Sequence, residues 1–541
     1  MSAANFSISA IAFVVVFLFG LYIFIIYPAA ISPLSKIPNA HWSAPYSPLW
    51  ILSVRYRWTE NHDVRAAHLK LGPVVRLGPN EISIGTIDGG VKTVFGGGFE
   101  KGDWYAVFDN YGVQCTFSTL HGRPHSASKR MVSHTYSKLA LQTSPAVAAQ
   151  AQSILFTRLL PTLKASAHPS QKPQGIDVLQ LWYSLSMDTI TAYQFGLPNS
   201  TDFVRDTAYR SHWLELYQSR KPYVYYPQEV PRLTTFLSKI GIRLVPRWVD
   251  DANQEIEDWG LGMCNAATAS SNKCSSYSDN PGEEPVVVRA MLKGIQKESN
   301  KEQSVLSCRI SDNTELMVAT EMLDNLAAGH ETSGITLTYA TWHLSQDLGL
   351  QKALRAELLT LDPPLKYSPE QITEGSPLPG LPNLKTLDSL PLLHAVLSET
   401  LRLNAAIPGS SPRVTPYPSC NLVGYEIPGG VRVCSSAWTL HRNADVYNQP
   451  EVWDHTRWLD GDGRSGEATK ERDKWFWPFS SGGRMCVGNN FAMLQMKLAL
   501  AATYTNFTSH IVCDDGIEQE DGYTASPKGN KLILRFEDVQ E

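Results

Sequence analysis

The stretch Phe479-Ser-Ser-Gly482-Gly-Arg484-Met-Cys486-Val-Gly488 holds a single cysteine between glycines, with an arginine two residues ahead of it. An iron-sulfur or zinc site needs several cysteines at short spacing. The other seven (Cys115, Cys264, Cys274, Cys308, Cys420, Cys434 and Cys513) are scattered one by one. One isolated thiolate suits the axial position of a haem. The glycines give the loop access to φ > 0 and bring backbone N–H groups towards the sulfur. Arg484 can pair with a haem propionate and, as a nearby positive charge, favour thiolate over thiol.

The surrounding composition is that of an ordinary globular protein. Among 541 residues, 43% are hydrophobic and 18% charged, enough for a large core. The net charge of −5, from 47 basic and 52 acidic residues, gives no electrostatic case for nucleic acid. Eight cysteines without paired spacing argue against a disulfide framework and fit a reducing compartment. No period of 20 to 50 residues recurs, which excludes a solenoid.

Residues 8–27 (ISAIAFVVVFLFGLYIFIIY) carry no charge, and the first charged residue of the chain is Lys36. As a helix this run spans about 30 Å, the thickness of a bilayer's hydrocarbon core. It has no basic leader and no small-residue cleavage site, so it reads as a retained anchor. Lys36, Arg55 and Arg57 follow it while nothing basic precedes it, which puts the larger part of the chain in the cytosol. The expected organisation is a short lumenal segment 1–7, a transmembrane anchor 8–27, a Pro-rich, non-helical linker 28–45 and a catalytic domain 46–541.

Within that domain, 74–77 and 81–84 flank Gly78-Pro79-Asn80 and read as a β-hairpin. A second hairpin is expected from 422–427 and 431–435 around Pro428-Gly-Gly430. The polar stretch 268–284 reads as an exposed loop, and 362–391 is punctuated by prolines. Most of the remainder carries helical periodicity, giving a mainly α fold with small β-sheets behind one N-terminal transmembrane helix.

Three further constellations accompany the cysteine. In the helical stretch 316–348, Ala328-Gly329-His330-Glu331-Thr332-Ser333 breaks an apolar pattern. Ala328 and Gly329 leave space on one face for a flat cofactor and a small gas molecule. Thr332 can bond back to the carbonyl of Ala328. Glu399-Thr-Leu-Arg402 puts two opposite charges at i, i+3 on a helix striped by Leu393, Val396, Leu397 and Leu401. Pro450-Glu-Val-Trp-Asp-His-Thr-Arg457-Trp458 supplies a later arginine, and a carboxylate shared by two guanidinium groups is a geometry that arginine favours.

The cysteine loop resembles the haem signature Phe-x-x-Gly-x-Arg-x-Cys-x-Gly of the cytochrome P450 family at Phe479, Gly482, Arg484, Cys486 and Gly488. Ala328 to Thr332 resembles its oxygen-activation motif, and Glu399, Arg402 and Arg457 resemble its bracing triad, a structural role. Arg413 matches its propionate-binding arginine. His125 and Lys129 stand where the family has Trp-x-x-x-Arg, a departure at both residues, with Arg130 beside them as a rival. Gln495 stands where the family often has Glu. His330 fills a variable position.

The resemblance implies the cytochrome P450 fold, haem b with Cys486 as the axial iron ligand, and monooxygenation. It implies O2 and NADPH electrons delivered through NADPH-cytochrome P450 reductase. By the same resemblance Thr332 stabilises bound dioxygen and Glu331 belongs to the proton path. The substrate is expected to be a lipophilic small molecule, hydroxylated or epoxidised, met by 104–117, the helix around Leu326, Ala405-Ala-Ile407-Pro408 with Gly409, and Tyr523-Thr-Ala-Ser526. Fungal-type members point to secondary metabolism, and the anchor to the endoplasmic reticulum membrane. Rival readings are a haem-thiolate isomerase or dehydratase, a haem sensor without turnover, and a tethered structural protein.

Overall fold

The structure is a computed structural model that describes residues 2–168, 174–273, 280–372, 377–459 and 466–539. Helix α1 (Ser2–Leu21) runs into a wider π-helical segment, Tyr22–Ile31. Together they contain a 22-residue span, Ala10–Ile31, long and apolar enough to cross a membrane, with none of its most apolar window buried. The non-helical exit expected from Pro28 onward is not what the chain does. A π turn needs no hydrogen bond to the residue four back, where a proline ring interferes. The helix therefore carries Pro28 and closes with Ser32 N–H on the Tyr27 carbonyl at 2.8 Å. The following linker is docked, not free: Leu34, Ile37 and Ala44 are buried, and Arg76 Nη1 donates to the Pro28 carbonyl at 2.8 Å.

The catalytic body is helical around two main cores, with a smaller cluster of Ile51, Val54, Val64, Ala67, Val75 and Leu77 beside them. Strands β1 (Val74–Gly78) and β2 (Glu81–Ile84) form the first expected hairpin, with Val74 opposite Ile84. Helix α2 spans Gly122–Val132; β3 (Ile176–Asp177) leads into α3 (Val178–Phe195); α4 spans Thr207–Ser219 and α5 Arg247–Lys273. Helix α5 takes in the first part of the expected 268–284 loop, and residues 274–279 of that loop lie outside the described residues. Helix α6 (Thr314–Ser345) crosses the centre of the molecule. It starts where the Asn313 side chain caps Leu316 N–H at 3.0 Å. It stops before Asp347, which caps the next helix.

Helix α7 spans Pro391–Leu403 and precedes β4 (Arg413–Val414), β5 (Ser419–Leu422), β6 (Tyr425–Pro428) and β7 (Arg432–Cys434). Helix α8 (Asn489–Asn506) is followed by β8 (Phe507–Cys513) and β9 (Ile533–Asp538). The sheets run β1-β2-β7-β4, β3-β9-β8 and β5-β6. The second hairpin therefore lies one turn earlier than expected. It closes at Val423-Gly424, both at positive φ (52° and 84°), the combination a two-residue hairpin of the right twist requires. Gly429-Gly430 instead passes the chain to another sheet, where β7 runs parallel to β2 with Ile82 opposite Val433.

The larger core joins α3, α6, α7 and α8 through Trp182, Leu326, Leu337, Leu397 and Leu498. Glycines let α3 and α6 approach: a Cβ at Gly334 would fall 2.4 Å from the Tyr183 ring, and one at Gly329 would fall 3.0 Å from Ile190. Gly329 therefore serves helix packing. The open face of α6 is lined by Ala327 and Ala328 instead. The second core lies on the four-stranded sheet and includes Ile82, Val433, Phe95, Trp475 and Trp477. The cysteine loop sits against this second core.

Candidate active site

Gly482 adopts φ 71°, and a Cβ there would fall 2.1 Å from the Phe95 carbonyl oxygen, so only glycine lets the loop lie on this wall. The loop closes with Cys486 N–H on the Phe479 carbonyl at 3.0 Å and Met485 N–H on that of Gly482 at 3.1 Å. Gly488 does not use left-handed freedom; at φ −87° it precedes α8, and its N–H favours the thiolate. A side chain at Gly483 or Gly488 would meet nothing within 4 Å. Cys486 is accessible. Burial raises its thiol pKa, opposed by the Gly488 N–H and the Lys129 ammonium.

The expected thiolate partner, Arg484, is turned elsewhere. Its guanidinium donates to the Thr119 carbonyl at 2.6 Å, to the Leu120 carbonyl, and to Glu100 at 3.0 Å. Lys129 is the cation nearest in effect to the sulfur. It donates to the carbonyls of Gly483 (3.0 Å) and Met485 (2.8 Å), stapling α2 to the cysteine loop. Arg130 is exposed and exerts its influence on Glu298, away from the loop.

Above the loop, basic groups crowd together. Arg413 is buried, donates to Tyr105 Oη at 2.7 Å and to its neighbour's carbonyl, and forms no ion pair with any described residue. Lys101, also buried, donates to the Phe117 carbonyl and stands 3.9 Å from the centres of the Tyr105 and Phe117 rings. Burial, then Arg413 and Arg484, push the Lys101 pKa well below its usual value. His125 is driven down to about 3 by burial, then by Arg484, Lys101, Lys129 and Arg413. Mutual repulsion of this kind is costly unless an anion shares the space. The lone carboxylate paired to the group is Glu100, on the solvent side of Arg484. A socket of buried cations beside an accessible cysteine fits the two propionates and the iron of a haem. Lys101 has no helical or motif signal to announce it. It reaches Arg413 because Glu100 bridges Val414 across the sheet edge.

The triad forms as expected and is fully buried. Glu399 receives Arg402 Nη2 at 2.7 Å and Nε at 2.8 Å, Arg457 Nε at 3.2 Å, Trp458 Nε1 at 2.9 Å and Asp454 N–H at 2.9 Å. Its link to the cysteine loop is His441, which sequence reading missed. Trp477 N–H donates to His441 Nε2 at 2.8 Å, so Nδ1 carries the proton and donates to the Arg402 carbonyl at 2.9 Å. Trp477 Nε1 in turn donates to Ser481 Oγ at 2.9 Å inside the loop.

Across from the sulfur, α6 exposes Ala328 in the midst of buried turns. Thr332 Oγ1 donates to the Ala328 carbonyl at 2.8 Å, and α6 stays continuous through this bond. Glu331 points off this face. It pairs with Lys221, accepts from Thr524 Oγ1 at 3.1 Å, and faces Tyr217 Oη at 3.5 Å. Burial opposes its charge, but Lys221 holds its pKa below the ordinary carboxylate value. His330 is buried against Trp213 and Tyr217 and donates to the Leu326 carbonyl, consistent with a filler. Gln495 Nε2 donates to Ser333 Oγ.

A cavity of about 320 Å³ adjoins the α6 face, lined there by Asp324, Ala327, Ala328, Thr332 and Tyr523. Phe108, Phe117, Ile407 and Gly409 join them, so each of the four segments named above reaches the cavity, although Leu326, Ala405 and Ala406 themselves lie in the cores. At another wall Glu229 is clamped by Arg55 (3.0 Å), Arg432 (3.2 Å) and Trp104 Nε1 (2.7 Å). Burial alone would raise Glu229, but the two guanidinium groups hold it at about 2.

A cysteine-centred cation socket beside a mid-molecule helix notch fits a haem-thiolate oxidoreductase, and the second half of the chain matches the cytochrome P450 family. The family model for Cytochrome P450 matches residues 278–534. Among curated relatives, cytochrome P450 monooxygenase tazI of Aspergillus terreus is 26% identical over 96% of this chain and 97% of its own. Cytochrome P450 monooxygenase orf2 of Aspergillus niger is 24% identical over 94% of each. Cytochrome P450 monooxygenase aflV of Aspergillus parasiticus is 26% identical over 88% of this chain and 85% of its own.

Proposed function

We propose that the protein is a membrane-anchored monooxygenase that uses O2 and NADPH-derived electrons to hydroxylate or epoxidise a lipophilic small molecule in secondary metabolism. Electrons come from NADPH-cytochrome P450 reductase. The Ala10–Ile31 helix anchors it once in the endoplasmic reticulum membrane, with the catalytic domain in the cytosol. The observation that carries the reading is the α6 notch, where Thr332 borders a cavity and Glu331 is linked to the half-buried Lys221.

Cys486 would ligate the iron of haem b, and Arg413, Lys101, Arg484 and His125 would be the groups available to its propionates. The Phe479-to-Gly488 loop would form the wall, and Lys129 would tie α2 to it. Haem so ligated supplies activation of O2, since a thiolate ligand favours O–O cleavage. The chain's residues supply position, dryness and protons. Thr332 gives its own hydrogen to Ala328, leaving its oxygen free to accept a hydrogen bond in the cavity. Glu331 and Lys221 form a pair that runs from the buried side of α6 towards solvent; the Lys221 side chain is 24% exposed and that of Glu331 6%. Proton delivery to the notch requires the Glu331 carboxylate to leave Lys221 and turn. The Glu399 triad takes no part in proton transfer; through His441 and Trp477 it fixes the loop.

An intact Glu331 and Thr332 pair weighs against an isomerase or dehydratase, which has no need of a proton path. A carbon monoxide difference spectrum of the thiolate type in the haem-loaded protein, abolished by Cys486→Ala, tests the haem-thiolate half of the reading. Electron uptake from NADPH in the presence of the reductase tests the turnover half. Absence of the spectrum would sink the assignment, and a normal spectrum without electron uptake would leave a sensor.

A further inference from the structure

Every acid lining the cavity but one already has a cationic or hydrogen-bonding partner. Glu60 and Glu229 are paired with Arg55, Glu331 with Lys221, and Asp521 with His62 and the backbone N–H groups of Asn61 and His62. Asp324 forms no ion pair with any described residue. It lies four residues before Ala328 and eight before Thr332, which puts all three on one stripe of α6, facing the cavity. Cys115 and Lys101 are within electrostatic reach, but the Cys115 thiol faces the Phe108 carbonyl (3.6 Å) and Ser118 Oγ (3.4 Å), and Lys101 is already held by the Phe117 carbonyl and two rings.

The walls beside Asp324 are aromatic. Phe108 and Phe117 meet edge to face at 4.9 Å, Phe108 and Tyr523 lie 6.1 Å apart, and Trp104 and Tyr523 lie 5.4 Å apart. Ring faces attract cations, most strongly where water is excluded. A carboxylate left without a cation in such a place is costly. Burial, with Glu321 adding to it, raises the Asp324 carboxyl to about 7, a direction that a bound cation would reverse.

We propose that the cavity takes a lipophilic substrate carrying a cationic amine, with Asp324 as its counter-ion and Phe108, Phe117 and Tyr523 as its cage. The inference rests on this cavity being the substrate site of the monooxygenase read above. It places the oxidised carbon on the same molecule as a basic nitrogen, over the Ala328 and Thr332 notch.

The test uses the full-length, haem-loaded protein and two probes of one shape: an arylalkyl trimethylammonium salt and its tert-butyl isostere. A quaternary nitrogen has no lone pair for iron, so its binding reports on the pocket alone. Equilibrium dialysis should show the cation binding at least about tenfold more tightly than the isostere. Asp324→Asn should bring that ratio to within about twofold while leaving the isostere's Kd unchanged, and Phe108→Leu should lower the ratio about threefold. Equal binding of the two probes by the native protein, or a ratio that survives in Asp324→Asn, would overturn the proposal. The native ratio decides the matter even if Asp324→Asn fails to fold. A missing thiolate spectrum, by contrast, would strike the monooxygenase reading without altering the dialysis ratio.

Discussion

The wall behind Cys486 and the cavity in front of it solve opposite problems with the same residue types. Behind the cysteine, Glu399 has both oxygens filled by Arg402, Arg457, Trp458 and a backbone N–H, and the carboxylate and both guanidinium groups are buried. In front, charges are shared among short elements. Glu229, at the end of the five-residue helix Tyr225–Glu229, is held by Arg55 and Arg432, which are also paired with Glu81. The first arrangement has one solution and fixes a geometry. The second has several partners for each charge and can be rearranged at small cost, as entry of a substrate demands.

Breaking the brace should therefore cost most. Glu399→Leu strands two buried guanidinium groups, and removal of one partner of a buried pair typically costs about 3–5 kcal/mol. The expected result is loss of the folded, haem-retaining protein at ordinary temperature, read by thermal denaturation and the Soret band. Survival with unchanged Tm would show that Trp458 and the backbone, not the carboxylate, carry the brace. Gly482→Ala comes next. A non-glycine residue at this φ costs about 1–2 kcal/mol, and the added Cβ must also move away from the Phe95 carbonyl. The expected outcome is a destabilised loop with weakened haem retention and a normal helical content.

On the cavity side, Glu229→Gln removes one acid from a cluster in which Arg55 keeps Glu60 and Glu81. Its expected destabilisation is about 1–2 kcal/mol, below that of Glu399→Leu, because no charge is left alone. Stopped-flow binding of a neutral lipophilic probe should become faster in both directions. A loss of stability as large as that of Glu399→Leu would erase the distinction between rigid wall and adjustable mouth.

What could be read from the sequence follows the same divide. The cysteine loop, the α6 notch and two members of the triad are each contiguous, so local spacing carried them. The adjustable side was largely invisible. Lys221 follows α4 by a short irregular path and meets Glu331 from 110 residues away, and Glu229 meets Arg55 from 174 residues away. His441 was missed because a histidine flanked by leucine and arginine carries no periodic signal; its role comes from accepting the Trp477 N–H. The second hairpin was misplaced because Pro428-Gly-Gly430 looks like a turn by composition. Val423 takes a positive φ that its β-branched side chain disfavours, held there by the Gly89 carbonyl, which accepts its N–H at 3.2 Å.

The smallest effect at neutral pH emerges only on acidification, and it separates the two regions by their histidines. His441, in the brace, is held neutral by burial and then by the Arg402 guanidinium, with a pKa of about 3. His330, packed on α6 against Trp213 and the cavity-lining Tyr217, is held down mainly by burial to about 4, with Glu331 pulling the other way. Both lie below the ordinary value of 6.5, so both are neutral in folded and unfolded chains at higher pH, and their contribution is then complete. Between pH 6.5 and 4 the unfolded chain takes up protons that the folded chain refuses, and stability falls as pH falls. His330 becomes protonated within the fold first, which loosens the shell of Trp213 and Tyr217 while the Arg402, His441 and Trp477 chain is still intact. Hydrogen exchange followed from pH 7 to 4 should thus show protection lost in α4 and the middle of α6 before the segment from His441 to Cys486. Simultaneous loss in both regions would mean that wall and cavity unfold as one unit, and that the contrast between them is one of geometry alone.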